Sequence, residues 1–157
     1  MIGNIGYERR LQALERRARE ISYGIGAGWI DFSAGLFQGV SVAATTVFAR
    51  YEITGKTVRV HARLTATAAG AGGGNTLALT GLPFAPLYHD TPFGLIEVRI
   101  AASGIWYSGG ARTQASFGSG LYAFGIVSGV ANVIGADPAV TLANNDIVSL
   151  FGCYERA

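Results

Sequence analysis

The sequence predicts an all-β fold: an antiparallel, jelly-roll-like β-sandwich preceded by one short N-terminal α-helix. Three observations carry this. Apolar residues in 7–21 recur at spacings of 4, 3, 4 and 3. From Trp29 onward the pattern changes to short runs of period two, broken at intervals by Gly, Pro, Asn and Asp, which is the signature of a sandwich or barrel. Charge is concentrated ahead of that switch. Residues 1–22 hold five Arg against three Glu, while residues 23–157 balance seven basic against seven acidic groups. Two regions follow: a helical stem with a glycine hinge at 1–28, and a β-sandwich body at 29–157.

In the stem, Tyr7, Leu11, Leu14, Ala18 and Ile21 form the alternating seam of a heptad repeat rather than the broad stripe of a helix lying on its own domain. Leu11 and Ala18 take the a positions, and Tyr7, Leu14 and Ile21 the d positions. Arg10 falls at g and Glu15 at the following e, the pairing that links neighbouring helices of a parallel bundle. These seven residues are therefore expected to drive self-association; a short parallel stem under β-bodies suits a homotrimer, while the a and d identities leave the number open. Asn4 or Gly6 caps the start and Gly24 stops the helix, before the hinge of Gly24, Gly26 and Gly28. Two heptads do not hold together alone in water, so the stem depends on whatever the body does.

In the body, 57–67 gives the clearest strand. Val58, Val60, Ala62, Leu64 and Ala66 alternate with Arg59, His61, Arg63 and Thr65, so one face is buried and the other polar. Residues 47–53 precede it, and Thr54, Gly55 and Lys56 make the turn of an antiparallel hairpin. Further strands are expected at 76–80, 96–102, 105–108, 113–117, 121–127, 130–134 and 147–154. The segment 84–93 contains two of the four prolines, Pro86 and Pro92, and reads as a long ordered surface loop. Within it, Tyr88, His89, Asp90 and Phe93 are the residues singled out as a ligand loop, with 108–112 as a second such loop. Trp106, Tyr107, Tyr88, Phe93 and Tyr122 are the aromatics available for a sugar-stacking patch.

No Gly-x-Ser-x-Gly elbow occurs, and the glycine clusters at 24–28 and 70–74 have neither dinucleotide spacing nor a following lysine. Two distant histidines and one cysteine give no zinc spacing, so no metal and no cofactor are expected. His61 reads as a strand-face residue, His89 as a loop residue, and Cys153 as a small buried hydrophobe. Asp146 reads as part of a turn with Asn144 and Asn145. The arginines of the stem are too sparse and too free of aromatics for nucleic-acid binding. No apolar run approaches the ~18 residues of a membrane span, and residues 1–5 lack the features of a signal peptide.

The hairpin of residues 49–60, followed by Leu64, a Gly-rich loop, residues 77–80 and then Leu82, Pro83 and Phe84, resembles small structural proteins of tailed bacteriophages. These are minor tail, fibre-knob and head-decoration proteins with a β-sandwich body. Trp29 resembles their opening strand, and residues 146–155 their closing one. The resemblance implies a non-enzymatic virion protein, commonly homotrimeric, made in the bacterial host cytoplasm and exposed on the particle surface. Its partners would be itself and other capsid or tail proteins. The alternative is a receptor- or carbohydrate-binding tail-fibre knob that recognises a host surface glycan.

Overall fold

A computed structural model describes residues 28–72, 74–114, 120–127, 130–136 and 138–157, with side chains at 120–127 and 130–133 left out. The stem residues Tyr7, Arg10, Leu11, Leu14, Glu15, Ala18 and Ile21 lie outside the described residues. What is described is all-β and antiparallel, with no helix. The strands are β1 (Ile30–Asp31), β2 (Gly35–Gln38), β3 (Val40–Val42), β4 (Ala44–Thr54), β5 (Thr57–Ala66), β6 (Leu77–Thr80), β7 (Pro92–Arg99), β8 (Trp106–Gln114), β9 (Gly120–Val127), β10 (Val130–Val133) and β11 (Ile147–Glu155).

All eleven belong to one hydrogen-bonded sheet in the order β1-β4-β5-β11-β7-β8-β9-β6-β2-β3, with β10 sharing with β6 the edge of β9 that faces away from β8. Leu36, Leu77 and Leu79 from one end of this order are buried in the same apolar cluster as Val60, Leu64, Ile96 and Leu150 from the other. A single sheet whose two ends share one core must roll over on itself, which gives the two-layered, sandwich-like body. The outermost strands are short, two residues in β1 and three in β3, and β1 covers β4 at Tyr51 and Arg50.

Alternation sets what faces inward. Val58, Val60, Ala62, Leu64 and Ala66 of β5 are all fully buried, and Arg59, His61, Arg63 and Thr65 face out, as expected. The turn between β4 and β5 is the two-residue Gly55-Lys56, with Gly55 at φ +62°, a conformation open to glycine without strain. At the opposite end Asp146 is buried and clamps its loop. Its Oδ1 accepts from Ala101 N at 2.7 Å and its Oδ2 from Ala143 N at 2.8 Å. Asn145 beside it takes φ +71°.

Three expectations are corrected. Residues 108–112 are not a loop but lie inside β8, because Gly109 and Gly110 pair with Ile96 and Leu95 on one side and with β9 on the other. The strand expected at 96–102 begins earlier, at Pro92, so Phe93 belongs to β7 rather than to the loop; proline is tolerated as the first residue of a strand. Cys153 is exposed rather than buried, because Gly152 and Tyr154 occupy the inward phase of β11.

Candidate functional site

Two surface features stand out, one an opening in the sheet and the other an apolar face. The opening begins where β7 meets β11. The two strands pair in register from Ile147↔Arg99 to Gly152↔Gly94, and pairing stops there. A register shift between Pro92 and Gly94 marks a β-bulge against β8, the kind of irregularity that bends a strand and re-aims a side chain. Phe93 thus turns inward, and its ring packs edge-to-face on Tyr154 with centroids 5.9 Å apart.

Beyond that point the 84–91 loop takes the place that β7 has vacated. Leu87 N donates to Glu155 O at 2.7 Å, and Pro86 bridges to Arg156. On the other side Asp90 N donates to Thr113 O at 2.8 Å, and Thr113 Oγ1 donates to Tyr88 O at 2.9 Å. The loop is tied to both β11 and β8, and between these ties lies a cleft of about 310 Å³.

Tyr88 and Phe93 of the expected ligand loop line this cleft. His89 and Asp90 are exposed on the loop and do not line it. Asp90 instead supplies the backbone tie, at φ +57°. Tyr154 and Glu155, which sequence reasoning assigned only to a closing strand, form the opposite wall. The Tyr154 hydroxyl donates to Phe84 O at 3.0 Å, and burial pushes its pKa up to about 12. The sugar-stacking set is not assembled. Trp106 lies at the start of β8, about 20 Å of strand away from the Arg112 end where the cleft is. Tyr107 is on the opposite sheet face from Trp106.

The second feature is the outward face of β4, β5, β11 and β7. The register places Arg50, His61, Phe151 and Leu95 in one row across these four strands. Phe48, in the next row, and Trp29 close around His61: ring centroids lie 4.5 Å (Phe48), 5.6 Å (Phe151) and 6.3 Å (Trp29) from it. The Arg50 guanidinium lies 4.9 Å from the Trp29 ring centroid and 5.4 Å from that of Phe48, with its Nε buried and without a hydrogen-bond partner. Phe151 is 54% exposed, Leu95 48% and Trp29 37%. Apolar groups gathered this way mark an interaction surface more often than chance exposure does.

His61 carries a consequence for pH. Burial among the rings, and then the Arg50 charge, hold its pKa below the ordinary 6.5. As pH falls through about 6.5 the unfolded chain takes up a proton that the folded chain refuses, so this residue makes stability fall with pH until the folded pKa is passed. The pH dependence of unfolding is therefore expected to be flatter in His61→Phe than in the natural sequence just below pH ~6.5. Parallel slopes in denaturant titrations would contradict this.

Among the described residues no three His, Cys, Asp or Glu side chains gather as a metal site. Among them too, no helix is long and apolar enough to cross a membrane. No family model matches the chain, and neither a curated protein nor a solved structure matches it.

Proposed function

We propose that this protein is a non-enzymatic structural component of a bacteriophage virion, a homotrimer with a jelly-roll-like body displayed on the capsid or tail. The observation that carries the self-association is the exposed row of Phe151 and Leu95, ringed by Trp29 and Phe48. Its occupant is a second copy of this chain. Trp29 packs against His61 in that row, and the heptad seam read from the sequence lies a few residues ahead of it in the chain. A parallel stem would bring the matching faces of several copies to one axis, where apolar surface is buried as in an obligate interface. Charges on the face support the fit, since Arg63 and Glu97 flank Ser149 in a single row, giving both signs for pairing across copies.

The virion assignment rests on the resemblance of the 49–60 hairpin and its flanks, together with the absence of any nucleophile or dinucleotide motif from the sequence. Gold-labelled antibody on purified phage particles is expected to decorate the capsid or the tail. Protein that is abundant in the lysate and missing from intact particles would contradict the proposal.

A further inference from the structure

We propose that the cleft opened by the β7 bulge binds a neutral sugar ring. The cleft is built into the sheet. Facing glycines, Gly94 and Gly152, let β7 and β11 approach closely at its inner end, and beyond them the strands part. Its volume of about 310 Å³ lies at the lower end of small-molecule sites, ~300–1,000 Å³.

The chemistry of the wall narrows the ligand. Phe93, Tyr154 and Pro92 provide an apolar floor, and Tyr88, 60% exposed, offers a ring at the mouth. Such a ring stacks on the C–H face of a pyranose through its negative π-face. Glu155 is the charged side chain among the described lining residues, and Thr57 and Thr91 are exposed beside it. The two inner hydroxyls already donate, Thr113 to Tyr88 O and Tyr154 to Phe84 O, so what they retain for a ligand is acceptor capacity. The wall thus asks for a ligand rich in hydroxyl donors with an apolar face. A phosphate or carboxylate would meet Glu155 and no cation in the lining. An alkylammonium would suit Glu155 but would leave the threonine oxygens without the several donors that a sugar brings.

The test is ligand-observed NMR on the full chain with D-glucose, D-galactose, D-mannose and N-acetyl-D-glucosamine, and with choline and sulfate as competing classes. At least one sugar is expected to bind with a millimolar or tighter Kd. Tyr88→Ala should weaken it by about tenfold, the scale of one aromatic contact, and Glu155→Gln should weaken it as well. Both positions are exposed, so unchanged thermal melting of each variant shows that the fold is kept. Absence of binding by all four sugars, binding unaltered in both variants, or preferential binding of choline or sulfate would overturn the proposal.

Discussion

Gly152→Ala is expected to destabilise the body by about 2–3 kcal/mol, the cost of overpacking at a site that cannot relax. A Cβ at Gly152 would lie 2.6 Å from Phe93 O and 2.8 Å from both Gly94 Cα and Phe93 Cδ2. The contacts are with the backbone and with a buried ring, so neither side yields cheaply. Gly94→Ala meets the mirror problem, because its Cβ would overlap the Phe151 carbonyl and lie 2.5 Å from Gly152 Cα. For a body of this size the shift in Tm is roughly 6–12 °C. Gly110→Ala is the matched control. Among the described residues its Cβ finds Gly94 O as nearest neighbour at 3.9 Å, and the change should stay within about 0.5 kcal/mol. Thermal and denaturant unfolding of the three variants check the order, and an unaltered Tm in Gly152→Ala would contradict the close approach.

Gln38→Leu carries the second large effect, a loss of about 3 kcal/mol. Gln38 is 1% exposed. Its Nε2 donates to Val140 O at 2.5 Å and its Oε1 accepts from Leu142 N at 2.9 Å, so one side chain satisfies two backbone groups of the segment before β11. Leucine has a similar volume but leaves both groups buried and unpaired, at a cost of about 1–3 kcal/mol each. The Leu142 amide should accordingly exchange its hydrogen faster relative to amides of β5. Unchanged protection at Leu142 would show that the glutamine is not the clamp.

The alternation in β5 was legible because each step of the sequence answers to one physical condition, core on one side and water on the other. Val58 through Ala66 therefore declare their face without help from distant residues. The hairpin turn at Gly55 was legible for the same local reason. Residues 35–42 were not, because β2 and β3 are held by pairing with each other and with β6 rather than by a pattern of their own. Residues 108–112 were read as a loop, and pairing on both edges of β8 places them inside a strand.

The cleft was half legible. The prolines pointed to 84–93 as a surface loop, and two of the four residues named there, Tyr88 and Phe93, line it. Its other wall was invisible because Gly94 and Gly152 become neighbours only when β7 and β11 pair. The outward aromatic row was hidden for a similar reason. Phe48, His61 and Phe151 come from three strands, and only the register brings their rings together. A glycine facing a glycine, or an aromatic at an outward phase, is the signal to look for once strand pairing is known.

Self-association through the outward face is the central claim, and the mass of the full-length protein in solution tests it most directly. Light scattering at micromolar concentration is expected to give about three times the chain mass of 16.4 kDa, as the proposed homotrimer requires. Phe151→Glu, which places a charge in the middle of the row, should lower that mass while leaving the melting of the body intact, since Phe151 makes no part of the core. A natural-sequence protein that runs as a clean 16.4 kDa monomer would contradict the account.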